Sequence, residues 1–235
     1  MFPEAIVSLA LPVHEAPTAL RSCLEELQRS FYQLLLSPIL QILPALSGIA
    51  SIADRNLDEP MFWQDSEEVT AIIGPVTHQL LSMTRLADHA ASEDEFDILT
   101  VQEMVRLACL MLLSALKSRF GMNGLDMTPL SSKFSELLGP PLEEVPRPLR
   151  RLQLWALIVS GLLQPSEGRS RLVSCVFDTM LQMDIANGRD AVDSARQMLW
   201  SRALEEEQAT LLAQEIDVLC LARQISTAPS SLHHR

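Results

Sequence analysis

The chain alternates apolar and polar positions with the period of a helix almost throughout. Across residues 18–36, Leu20, Cys23 (or Leu24), Leu27, Phe31 and Leu34 recur every three or four positions. Glu25, Glu26 and Arg29 fall largely off that stripe. Such spacing predicts one amphipathic helix with its apolar face turned inward. The next run, "FYQLLLSPILQILPALSGIASIA" at 31–53, carries no charge and is long enough to cross a bilayer. Pro38, Pro44, Gly48, two glutamines and several serines argue against a span, because an interior proline deletes a helix hydrogen bond and kinks the chain. A buried helix broken at Pro38 or Pro44 is the expectation.

Residues 54–68, "DRNLDEPMFWQDSEE", read as an acidic loop in which Met61, Phe62 and Trp63 tuck back onto the core. Ser66 is placed to cap a helix reaching Asp88, with Glu67 and Glu68 at its positive end. Its inner face is Ile72, Ile73, Val76, Leu80, Met83 and Leu86 or Ala87, and Gly74-Pro75 is a place for a kink. "ASEDEFD" reads as an acidic linker. Thr100 and Glu103 then form the T-x-x-E pattern of a capping box, starting a helix over 101–120 that ends in Lys117, Arg119 and Gly121. A short helix follows at 130–138, and then a proline-rich connection at 139–148.

"PRPLRRLQLWALIVSGLL" at 146–163 is nearly all apolar after its basic lead. Its dozen apolar residues are too few to span a bilayer, and a helix apolar on every side belongs inside a protein. Pro146 and Pro148 set its start, Arg150 and Arg151 are expected at a solvent-facing mouth, and Gly161 leaves room for a crossing helix. Three more helices are expected. The first, 168–184, carries Leu172, Val176 and Met180 with Phe177 and Leu181 beside them. The second, 190–200, carries Val192, Ala195, Met198 and Leu199. The third, 204–225, carries Leu212, Ile216, Leu219 and Cys220, with Glu205, Glu206 and Glu207 in its first turn. No strand pattern of convincing length and no repeat at fixed spacing interrupts this series.

The expected fold is therefore all-α, a single irregular bundle of about eight to ten helices. It divides into an N-terminal segment at 1–17, a helical domain at 18–225 and a disordered tail at 226–235. A chain of 235 residues, 48% hydrophobic and 20% charged, is large enough to bury such a core.

Charge narrows the function. Thirty acidic against 18 basic residues give a net charge of −12. Phosphate backbones are bound by Lys and Arg, so this balance argues against direct nucleic-acid binding. The densest basic cluster, Arg147, Arg150 and Arg151, reads as a solvated helix start. Cys23, Cys109, Cys175 and Cys220 are far apart, form no C-x-x-C and read as free thiols in a reducing compartment. "MFPEAIVSLALPVHEAP" lacks the basic lead of a signal peptide.

The histidines are His14, His78, His89, His233 and His234. His78 and His89 can face one way on a helix, but about 16 Å apart, too far for one metal site. Glu93-Asp94-Glu95, Glu143-Glu144 and Glu205–Glu207 lie in linkers or helix starts. "DAVD" at 190–193 lacks the adjacent aspartates of a magnesium motif, and "GMNGLD" lacks the spacing and lysine of a phosphate loop. The sequence thus offers no catalytic, cofactor-binding or metal-ligating residue.

Two segments carry a family resemblance. In "TVQEMVRLACLMLLSALKSRFGM", Glu103, Arg106, Leu107, Ala108, Leu110 and Leu113 follow an E-x-x-R-L-a-x-L-x-x-L helix. In 146–163, Pro148, Leu149, Leu152, Leu154, Trp155, Leu157, Val159 and Gly161 follow a P-L-x-x-L-L-W-x-L-x-V-G-G helix, with Leu162 in place of the second glycine. A looser match is Leu199-Trp200 followed by an acidic helix. Together, over roughly residues 96–225, these resemble the helical regulatory region of fungal zinc-cluster transcription activators. Members of that family carry a cysteine cluster that binds zinc and reads DNA, and no such cluster stands in this chain. The resemblance therefore implies a regulatory module without its own DNA-reading domain, of the kind that controls secondary metabolism. It would act in the nucleus through coregulators or other regulatory proteins, or as a homodimer. A helical enzyme or small-molecule binder is the alternative, because fold does not fix function. Membrane association through 31–53 is a further one.

Overall fold

The computed structural model describes residues 16–64, 66–86, 93–121, 126–142, 145–163, 168–202, 204 and 206–227. Among them are nine α-helices and one short 3-10 turn at Phe62–Gln64, with no strand. The helices are α1 (Thr18–Gln28), α2 (Gln33–Arg55), α3 (Ser66–Ser82), α4 (Glu93–Arg119) and α5 (Met127–Leu137). They continue with α6 (Arg147–Leu163), α7 (Arg169–Gln182), α8 (Gly188–Met198) and α9 (Glu206–Thr227). The all-α expectation holds.

α6 is the axis of the bundle. From Leu152 to Leu162 every residue is buried, and Trp155 is fully enclosed. Its indole Nε1 donates to the Leu199 carbonyl at 2.6 Å, so the one polar atom of the ring is satisfied where α8 ends. α6 lies most extensively against α4 and also touches α1, α7, α8 and α9. A Cβ added at Gly161 would stand 3.0 Å from Leu172 and 3.1 Å from Leu212. The glycine does let neighbouring helices approach closely, as expected.

Several boundaries differ from the pattern reading. The helix expected over 18–36 is two. α1 stops at Gln28, where Ser30 Oγ donates to the Leu27 carbonyl at 2.7 Å, and α2 starts at Gln33. The turn rotates the stripe, so Phe31 and Leu34, expected inside, are 94% and 88% exposed. α2 is not broken at Pro38 or Pro44 but runs through both. Two interior prolines cost about 6 kcal/mol together. Against that, Leu36, Ile39, Leu40, Ile42, Leu43, Leu46 and Ile49 are buried, each contributing roughly 1.5–3 kcal/mol. Burial exceeds the proline cost, so the helix continues.

The capping box at Thr100 is also replaced. α4 begins at Glu93, so "ASEDEFD" is largely helix rather than linker. Negative residues in a first turn suit the helix dipole, which explains why an acidic stretch starts the helix. Thr100 is buried inside α4, and Glu103 turns to Arg106. The far end of α4 matches its reading: Gly121 takes the left-handed conformation (φ 67°) and its N–H donates to the Ser118 carbonyl. α5 starts earlier than expected, at Met127, capped by Asp126, whose carboxylate accepts from the Thr128 N–H. α3 ends at Ser82 rather than Asp88. Leu181, read as inward, is 58% exposed, as is Met61 at 74%, while Phe62 and Trp63 do fold back against Phe120.

Candidate binding surfaces

Among the described residues no three His, Cys, Asp or Glu side chains converge as a metal site would require. His78 is exposed on α3, while His14, His89, His233, His234, Glu143, Glu144 and Glu205 lie outside the described residues. Asp190 is taken up at the start of α8, where its N–H donates to Asn187 Oδ1, and Asp193 holds Arg196 at 3.0 Å. All four cysteines are free. Burial pushes the Cys23 thiol up to about 12, against the pull of Arg151, and burial raises Cys109 further. Both are therefore inert thiols rather than nucleophiles.

Two arginines expected in solvent or overlooked prove to be buried. Arg150, placed by its sequence at a wet helix mouth, is 6% exposed. It donates to the carbonyls of Leu142 and Val145, at 3.1 Å each, and to the Gln182 side chain. These bonds close the proline-rich connection over the start of α6. Arg151 beside it is half-buried near Glu26. Arg106 is the second buried arginine. It forms a two-pronged pair with Glu103, at 2.7 and 2.6 Å, and its third contact is the Leu80 carbonyl at 3.1 Å. The pair thus fastens the last turn of α3 to α4. The E-x-x-R spacing was the available signal, since residues three apart share a helix face.

That last turn of α3 forms part of one wall of a surface depression. α2 and α3 are joined by a short connection and leave between them an open groove of about 600 Å³. Pro38, Ile42, Ala45, Ile49 and Ile52 line it from α2 at three- and four-residue spacing. Ile72, Pro75, Val76 and Gln79 line it from α3, and Ser82, Met83 and Thr84 close it beyond. No described lining residue is charged. At the Ile52–Ile72 end the groove abuts a wholly apolar recess formed with Phe62, Leu116 and Phe120, where only about 10 Å³ is left open. At the other end stand Gln41, Gln79, Ser82 and Thr84, all exposed.

A second surface lies on α9. Its inner residues Leu212 and Ile216 are buried, whereas Leu211, Val218 and Leu221 are 43%, 66% and 59% exposed. Spacings of seven and three put these three on one outward stripe. Glu207 and Glu215 are exposed on the same helix. α9 is tied to α7 by Arg169 to Glu215 at 2.7 Å and Arg223 to Asp178 at 2.9 Å. Gly188 completes this side: its N–H donates to Asp217, and no side chain fits there because a Cβ would lie 2.2 Å from the Ala213 carbonyl.

α2 and the 95–119 part of α4 are long and apolar enough to cross a membrane, yet 61% and 89% of their most apolar windows are buried in the bundle. A helix that faces its own protein has the composition of a core helix, which passes the same test of length and hydropathy.

Compared with known proteins, the chain matches no family model, no curated protein and no solved structure.

Proposed function

We propose that this chain is a transcription-regulator-like helical module that works by binding and not by catalysis, and that the outward stripe of α9 is the surface it offers to partner proteins. The observation carrying this reading is Leu211, Val218 and Leu221 held in solvent on a helix whose opposite face is fixed in the core. Exposed aliphatic side chains at heptad-like spacing on a helix docked by its opposite face are what a partner helix covers. A chain of net charge −12 suits basic partners and repels phosphate backbones. The regulatory-region resemblance of the α4 and α6 segments points the same way, toward coregulators or a second copy in the nucleus.

The test is a crosslinked capture from nuclear extract with the wild-type chain and with the Val218→Glu/Leu221→Glu double variant. Recovery of a regulator or coregulator by the wild type, reduced at least tenfold by the double variant, supports the reading. Recovery of no such protein, or equal recovery by both, removes it.

A further inference from the structure

The groove between α2 and α3 asks for a different kind of occupant. Its walls are apolar and, among the described lining residues, uncharged. A charged ligand group would meet no counter-charge on the described lining, and a charge drawn against the apolar walls sheds water without gaining a partner. The polar lining is neutral and gathers at one end, in Gln41, Gln79 and Thr84. The other end is apolar, where Ile52 and Ile72 border a small recess shared with the Phe62 and Phe120 rings. From Pro38 to Ile52 the α2 wall is about 21 Å long. A volume of about 600 Å³ falls within the ordinary range for small-molecule sites. A partner helix would satisfy its own backbone and leave the neutral amide end unexplained.

We propose that this groove binds a free neutral amphiphile, a long hydrocarbon chain ending in a hydroxyl or amide group. The chain lies along Ala45, Ile49 and Val76 with its tip toward Phe62, and the head sits among Gln41, Gln79 and Thr84. Amide side chains donate to and accept from such a head, which fixes the ligand's direction. This site is separate from the α9 stripe, so it goes beyond the partner-binding role and stands or falls independently of it.

The experiment uses the full chain and the neutral fluorophore N-phenyl-1-naphthylamine, displaced by dodecanol or by dodecanoate. Saturable probe binding is expected, with dodecanol displacing at least tenfold more tightly than dodecanoate. Ala45→Phe should fill the groove and weaken probe and dodecanol at least tenfold. Gln79→Lys, at an exposed position that the core does not depend on, should move the preference at least tenfold toward dodecanoate. Val218→Glu should leave all of these constants unchanged. Three results overturn the proposal: no saturable binding, equal displacement by dodecanoate and dodecanol, or Q79K without effect on that ratio. Sedimentation with phosphatidylcholine vesicles separates a membrane source from a free ligand. Protein that pellets with vesicles and is not released by dodecanol would overturn it as well.

Discussion

Replacing Glu103 by glutamine keeps the shape of the side chain and removes its charge. The Arg106 guanidinium would then stay buried, with its side chain 5% exposed, beside a neutral amide and one carbonyl oxygen, that of Leu80. Breaking a buried ion pair by removing one partner costs about 3–5 kcal/mol, because the remaining charge is uncompensated. In a domain of this size each kcal/mol lowers Tm by about 2–4 °C, so E103Q should melt about 6–20 °C below the wild type. Removing both partners should behave differently. Glu103→Leu with Arg106→Met replaces the pair by apolar groups of similar bulk, and such exchanges are commonly neutral or stabilising by about 1–4 kcal/mol. Urea unfolding followed by far-UV circular dichroism, on Glu103→Leu, Arg106→Met and the double, gives the coupling directly, with E103Q measured beside them. A cost below about 1 kcal/mol for E103Q is the value of an exposed pair and would refute the burial reasoning. A double variant as unstable as E103Q would refute it too. Because the pair fastens Leu80, E103Q should also loosen the α3 wall of the groove and weaken N-phenyl-1-naphthylamine binding.

Two further outcomes follow from the core. Burial holds the Cys23 thiol protonated up to about 12 in the folded chain, whereas an unfolded thiol ionises near about 8.5. Above that value only the unfolded state loses its proton, so stability falls as pH rises; between pH 8 and 10 each buried thiol accounts for about 2 kcal/mol of the loss. Cys23→Ala should reduce the pH dependence of urea unfolding by about that amount, and an unchanged slope would contradict it. Gly188→Ala places a methyl group against the Ala213 backbone, and should cost about 3 kcal/mol or more. Gly161→Ala meets only the movable side chains of Leu172 and Leu212, and should cost about 1–2 kcal/mol. Thermal melts that reverse this order would show that the α8–α9 contact yields more easily than its geometry implies.

The long buried elements were legible because their residues repeat one instruction. α6 is apolar on all sides, and α4 carries a basic last turn and a terminal glycine, so period and cap agree. The misread places are those where one local signal has two readings. "SEDEFD" fits a linker by polarity and a helix start by dipole, and only the packing of Ile98 and Val101 in the core decides between them. Phe31 and Leu34 continue the spacing of α1, but the chain turns between Gln28 and Gln33 and takes them off the inner face. Arg150 looked solvated because sequence cannot show that the carbonyls of Leu142 and Val145 come round to meet it. The groove was invisible for a similar reason. Ile52 and Ile72 become neighbours only when α2 and α3 close as a hairpin, and each helix alone reads as ordinary core.

The proposed role is regulation by contact with other proteins. Its most direct measurement is transcriptional output after tethering. The chain is fused to an unrelated DNA-binding domain and expressed in fungal cells with a reporter gene carrying that domain's site. The account predicts that the tethered chain changes reporter output and that Val218→Glu/Leu221→Glu, at equal protein level, abolishes the change. A tethered chain that leaves output at the level of the DNA-binding domain alone, or a double variant as active as the wild type, would contradict it.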